Sequence, residues 1–227
     1  TSVSLSSDGS IVAIGAGNND GNGSNSGHVR VYEWNGSTWL QKGSDIDGEA
    51  SGDKSGLSVS ISSDGSIVAI GARYNDGNGS NSGHVRVYEW NGSAWVQRGI
   101  DIDGEASSDY SGTSVSLSSD GSVVAIGAPD NAGGLNGGHV RVYEWNGIIW
   151  SQVGSDLDGY WGDKFGTSVA LNDDGKFISV GSPHFSKGLT EVFQYVDGYW
   201  KNMAYLAGEG SFDYSGKVTA ISGNGSI

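Results

Sequence analysis

From residue 2 the chain reads Ser-Val-Ser-Leu-Ser, polar and apolar in strict alternation, then passes through Asp8-Gly9 into the apolar run Ile11-Val12-Ala13-Ile14. Alternation at period two marks a strand, and Asp-Gly between two such runs marks a hairpin. After a loop of Asn, Asp, Gly and Ser, the segment from His28 to Trp34 alternates again, turns at Asn35-Gly36 and returns through Trp39-Leu40-Gln41. This predicts a second hairpin. No segment carries apolar residues at i, i+3, i+4 and i+7 over three turns, so the chain is predicted to be all-β, with essentially no helix.

The same pattern returns. Copies of the first hairpin begin at Thr1, Leu57, Thr113 and Thr167, at offsets of 56, 56 and 54 residues, and a shorter one begins at Lys217. The units are 1–56, 57–112, 113–166 and 167–216, with a partial unit at 217–227. Four antiparallel strands in about 50 residues is the size of a propeller blade, whereas β-helix and leucine-rich coils repeat in roughly 20–30 residues or fewer. Residues 1–227 are therefore expected to form a single partial β-propeller domain of about four blades plus the start of a fifth. A chain that starts and stops in mid-repeat reads as a piece of a longer array.

The fourth unit carries Phe165-Gly166-Thr167-Ser168-Val169, then Asp174-Gly175, then Gly181-Ser182-Pro183; the third supplies Gly127-Ala128-Pro129 in full. Ser55-Gly56, Ser111-Gly112 and Ser215-Gly216 stand where Phe-Gly would be. These units resemble FG-GAP repeats, the repeats of the seven-bladed propeller at the head of integrin α chains and of similar microbial surface domains. The resemblance implies a non-enzymatic ligand-binding or cell-adhesion scaffold, extracellular or at a cell surface, and a whole propeller of roughly 385 residues. Calcium-binding members lengthen the first hairpin turn into an Asp-rich loop. Here the turn is only Ser-Ser-Asp-Gly or Asn-Asp-Asp-Gly, too few oxygens for the six to eight that Ca²⁺ takes, so those ligands are not carried over.

Composition narrows the partners. Twelve Lys+Arg against 26 Asp+Glu give a formal charge of −14, which repels a phosphate backbone and argues against nucleic acid. No apolar run approaches the roughly 18–20 residues that span a bilayer, so no membrane insertion is expected within this segment. The absence of Cys removes disulfides, thiolate metal sites and a Cys nucleophile. A protein or glycan is the expected ligand, and no cofactor is required.

Three sets of residues are candidates for chemistry. Asp45, Asp47, Glu49 and Asp53, repeated as Asp101, Asp103, Glu105 and Asp109 and more thinly as Asp156, Asp158 and Asp163, gather enough carboxylates for weak Ca²⁺ binding. They fit equally a solvated acidic rim with one Asp closing an Asx turn. Arg30, Glu33 and Trp34, with copies Arg86, Glu89, Trp90 and Arg141, Glu144, Trp145, would suit a sugar held by a charged pair and an indole face, which makes a lectin-like propeller the alternative function. A structural ion pair explains the same set. Asn22, Asn35, Asn78, Asn91 and Asn224 begin Asn-Gly-Ser strings that read either as glycosylation sequons or as Asn-Gly turns. The residues that break the repeat, among them Tyr160, Trp161, Lys164, Pro183, His184 and Lys187, form no visible triad, and an active site is usually asymmetric. No catalytic residue is therefore assigned, and no enzymatic activity is expected.

Overall fold

The computed structural model describes residues 2–131 and 137–225. Thr1, at the head of the first copy, and Ser226 and Ile227, at the tail of the last, lie outside the described residues. The first blade contains β1 (Ser2–Leu5), β2 (Ile11–Ala16), β3 (His28–Trp34), β4 (Trp39–Gln41) and β5 (Ile46–Asp47). The second repeats it as β6 (Ser58–Ile61), β7 (Ile67–Ala72), β8 (His84–Trp90), β9 (Trp95–Gln97) and β10 (Ile102–Asp103). The third is β11 (Ser114–Leu117), β12 (Val123–Ala128), β13 (His139–Trp145), β14 (Trp150–Gln152) and β15 (Leu157–Asp158). The fourth is β16 (Ser168–Leu171), β17 (Phe177–Ser182), β18 (Leu189–Val196) and β19 (Tyr199–Ala207). No helix occurs among the described residues.

Every blade is an antiparallel meander four strands wide. In the first three blades the outermost strand is in two pieces that both pair with the third strand, as β4 and β5 do with β3. The break falls at Gly43, whose φ of +80° is open to glycine at little cost. A Cβ there would also lie 2.7 Å from Trp90 Cζ3 of the next blade. No glycine interrupts Tyr199–Ala207, and β19 runs unbroken along β18 with one irregularity between Val192 and Phe193. First strands face the axis, β1 lying against β6, β6 against β11 and β11 against β16. The copy starting at Lys217 forms no strand through Gly225.

The core lies between blades. Ile11, Ala13, Val29 and Val31 pack against Val59, Ile61, Val68 and Ile70 of the second blade, and two equivalent clusters join the second to the third and the third to the fourth. Along β7, Val68 and Ile70 face one neighbour while Ile67 and Ala69 face the other, which is why these strands are apolar on both sides. The repeated Ser-Ser-Asp-Gly turn also has a junction role. Ser7 N donates to Ser63 O, Ser63 N to Ser119 O, Ser119 N to Asp173 O and Asp173 N to Gly223 O, all at 2.8–2.9 Å, a chain of backbone bonds that circles the axis from turn to turn. Indole locks work farther out, Trp95, Trp150 and Trp200 donating to Lys42 O, Arg98 O and Val153 O of the preceding blades.

Candidate functional site

Because first and second strands are antiparallel, with Ser114 opposite Gly127 and Ser168 opposite Gly181, the loop entering each blade and the loop leaving its second strand meet at one end of the axis. Arg73 directly follows β7, Pro129-Asp130 follows β12 and Pro183-His184 follows β17. Thr113, Thr167 and Lys217 stand in the entering position, each preceded by a residue with left-handed backbone, Tyr110 (φ 53°), Lys164 (φ 59°) and Tyr214 (φ 52°). Non-glycine residues rarely hold such angles, and they do so mostly in turns and at sites where a side chain must be aimed.

These residues from three blades enclose a cavity of about 400 Å³ lined by Arg73, Asp130, Lys164, His184, Tyr214 and Lys217 among others. Arg73 stacks over Tyr74 and Tyr110 at 4.9 and 5.0 Å, and its Nε is buried with no hydrogen-bond partner. Lys164 pairs with Asp130. The His184 ring lies 5.9 Å from that of Tyr214, and its backbone N–H donates to Asp163 O at 3.2 Å. With Asp130 engaged by Lys164, the wall keeps an excess of cationic groups on a chain that has only 12 in all. Such a pocket suits a small anion.

A second set of groups lies at the blade junctions, where three clusters bring ligand-type atoms within 4.8 Å of one another: His28, Asp45 and Asp47; Glu49, His84 and Asp101; Glu105, His139 and Asp156. Burial, and after it the Arg86 guanidinium, pushes His84 down to about 4; burial and then Arg141 do the same to His139. Both imidazoles are therefore neutral at neutral pH. In the first blade the Arg30 guanidinium grips Asp45 with both oxygens at 2.8–3.0 Å and holds that carboxyl down to about 2.

The structure redistributes the carboxylates that sequence grouped by loop. Asp53 and Asp109 turn inward and accept the Ala50 and Ala106 N–H groups. Asp47 and Asp103 lend their backbone carbonyls to Arg86 and Arg141 of the next blades, at 2.7 Å each. Glu49 and Glu105 cross to the neighbouring blade, where they face His84 and His139. Nor do the Arg, Glu and Trp sets converge. Three positions apart on a strand, Arg30 and Glu33 project to opposite faces, so Glu33 pairs with Lys42 at 3.0 Å and Glu89 with Arg98 at 3.8 Å, while Glu144 is exposed. Trp34, Trp90 and Trp145 pack on Trp39, Trp95 and Trp150 at 5.4–5.6 Å. Among the sequon asparagines, Asn22 and Asn78 donate to Gly48 O and Gly104 O, and Asn35 and Asn91 close Asx turns.

Residues 44–88 match the family model described as FG-GAP repeat. That stretch, from the end of the first unit into the second, matches an FG-GAP repeat. No curated protein sequence matches the chain. Among solved structures the chain is similar to a proposed 6-phosphogluconolactonase from Bacteroides uniformis, at 11% identity and a TM-score of 0.61 over 93% of this chain and 55% of that one. It is similar as well to the periplasmic gluconolactonase of Pseudomonas aeruginosa, at 14% identity and a TM-score of 0.61 over 94% and 58%. TolB from Acinetobacter baumannii aligns at 16% identity and a TM-score of 0.54 over 92% and 43%. The chain thus spans a little over half the length of the two lactonases, and at these identities the likeness establishes the propeller fold.

Two expectations from sequence are corrected by these findings. The inference from an FG-GAP scaffold to a non-enzymatic adhesion or lectin-like module is overturned, because several of the propellers this chain resembles bear the names of lactone hydrolases. The expectation of no enzymatic activity fails with it. Its physical premise also fails, since the repeat-breaking Lys164, Pro183 and His184 are not scattered but share one cavity wall. Among the described residues no helix is long and apolar enough to cross a membrane.

Proposed function

We propose that these blades belong to a propeller hydrolase whose substrate is a small anionic lactone of the sugar-acid type, bound at the axis mouth. The observation that carries this reading is the asymmetric, cation-rich cavity of about 400 Å³ containing Arg73, Lys164, Lys217 and His184, at the end of the axis where loops of three blades meet. Arg73 and Lys217, both in the cavity wall, hold the phosphate of the substrate. His184 takes a proton from water as the water oxygen bonds to the lactone carbonyl carbon; the ring C–O bond then breaks and the proton passes to the leaving alkoxide. The printed names of the similar propellers support the reaction class. A location outside the cytoplasm, periplasmic or extracellular, is part of the same proposal and is supported by the periplasmic gluconolactonase; cell fractionation tests it.

The decisive assay follows hydrolysis of phosphorylated and unphosphorylated gluconolactones by the purified protein against the spontaneous rate. We expect faster ring opening, a loss of roughly 10²–10⁴-fold in His184→Asn as for removal of a general base, and a raised KM in Arg73→Gln. Hydrolysis no faster than in buffer, from protein shown to be folded, would sink the proposal.

A further inference from the structure

The junction clusters hold a group that the mouth does not use. His84 is 1% exposed, and neither of its ring nitrogens has a hydrogen-bond partner. A buried polar side chain left unsatisfied in this way is destabilising. Its Nδ1 lies 3.5 Å from Asp101 Oδ2 and 3.8 Å from Glu49 Oε2, too far for a hydrogen bond. The other oxygen of each carboxylate is already assigned. Asp101 Oδ1 accepts from Gln97 Nε2 at 2.6 Å, and Glu49 Oε1 faces Arg86 Nη1 at 3.5 Å. The contacts to Gln97 and Arg86 thereby leave Oδ2 and Oε2 toward the imidazole, as partners of metal-ligating carboxylates do.

We infer that Glu49, His84 and Asp101 form a divalent transition-metal site of the zinc class joining the first two blades, and that Glu105, His139 and Asp156 form a second joining the next two. Tetrahedral coordination with bonds of about 2.0–2.1 Å puts ligand atoms about 3.3–3.4 Å apart. The histidine-to-carboxylate separations of 3.5 and 3.8 Å in one cluster, and 3.7 and 3.9 Å in the other, need only small closures. One imidazole with two carboxylates favours zinc, cobalt or nickel over Ca²⁺, which prefers six to eight oxygens. The fourth position falls to water, since Glu49 and Asp101 are 44% and 27% exposed.

The second cluster repeats the orienting contacts. Gln152 donates to Asp156 Oδ1 at 2.6 Å, and Arg141 Nη1 faces Glu105 Oε1 at 3.7 Å. In the first blade the Arg30 guanidinium is turned onto Asp45. The fourth blade acts as an internal control. Leu189 occupies the histidine position of the fourth blade.

The test needs no substrate, so its failure and that of the hydrolase reading are separable. Chelator-treated protein is titrated with Co²⁺ and followed by visible absorption, with bound metal counted by mass spectrometry and with Zn²⁺ and Ca²⁺ as competitors. We expect uptake approaching the number of clusters that carry a crossing glutamate, that is, two per chain. Zn²⁺ should displace the cobalt and Ca²⁺ in equal amount should not. His84→Gln should remove one equivalent, and His84→Gln with His139→Gln should remove both. Should circular dichroism show the histidine variants misfolded, Glu49→Gln and Asp101→Asn alter one exposed and one half-buried carboxylate and should each weaken one site at least tenfold. No uptake by the wild-type chain, uptake indifferent to all four substitutions, or equal displacement by Ca²⁺ would each overturn the inference.

Discussion

Asp8 takes up most of the donors of its own turn: the Ser6 hydroxyl at 2.7 Å, the Ser10 N–H at 2.9 Å and the Ser10 hydroxyl at 2.8 Å all reach its Oδ1. The Ser10 N–H foremost, then the Ser6 and Ser10 hydroxyls, hold that carboxyl down to about 2. At Asp64 and Asp120 burial pushes upward, and the serine hydroxyl and N–H bonds outweigh it, so both end below the usual carboxylate value. A folded-state pKa below the unfolded one contributes stability that is complete above the unfolded value, near 4, and is lost as pH falls through the folded value. The melting temperature is therefore expected to fall between about pH 4 and 2. In an Asp64→Asn, Asp120→Asn variant that decline should be shallower while the turn is kept, because an amide oxygen still accepts. An unchanged slope, followed by thermal melts across that range, would remove the Asx turns from the acid response. The same residues show how far local chemistry is legible: Asp-Gly predicts the turn from sequence, whereas the bond from Ser7 N to Ser63 O joins positions that only stacking brings together.

At the scale of the strand, β2 and β7 form a natural control, for Ile11–Ala16 and Ile67–Ala72 have the same sequence, IVAIGA. Propensity is identical and the surroundings are not. Ile14 is 40% exposed, whereas Ile70, its copy, is 1% exposed because the first blade covers it. Truncating a buried isoleucine to alanine costs about 2–5 kcal/mol, and a half-exposed one much less. Ile70→Ala is expected to destabilise by about 3 kcal/mol and Ile14→Ala by about 1 kcal/mol or less, read from urea unfolding at constant m-value. Equal losses would mean that β2 is covered in solution. Hairpins and the succession of blades were readable because alternation and Asp-Gly or Asn-Gly turns are local signals. The split outer strand was partly readable: Asp45-Ile46-Asp47 alternates as a strand should, yet the reason for the break, the indole of Trp90 against Gly43, lies in another blade. The sequence also misassigned Glu49 by grouping it with the carboxylates of its own loop, because nothing local indicates that it crosses to His84.

Over the whole molecule, the candidate sites collect where repeats meet, and that is where a linear reading is weakest. Arg73, Asp130, Lys164, His184 and Lys217 span 144 positions (217 − 73), and they share a wall only because the loops at one end of every blade converge on the axis. Lys164 and His184 were visible as breaks in the repeat; their meeting was not. The same architecture governs stability. Each blade buries its faces against its neighbours through one core per junction, so the free energy is nearly a sum over adjacent pairs, as in other repeat proteins. β7 and β12 are buried along their whole length, whereas β1 and β2 alternate between covered and open positions and β19 leaves Met203, Tyr205 and Leu206 exposed. Local opening should therefore be cheapest at the first and fourth blades and dearest in the middle pair. Native-state hydrogen exchange is expected to show the slowest amides in β7, β8, β12 and β13, and markedly faster exchange in β1 and β19. Metal at the two junction clusters should protect β8 and β13 further and leave β17 and β18 unchanged, since the fourth blade has no such cluster. Uniform protection across all four blades would show that the array opens as one cooperative unit, and the pairwise account would have to be given up.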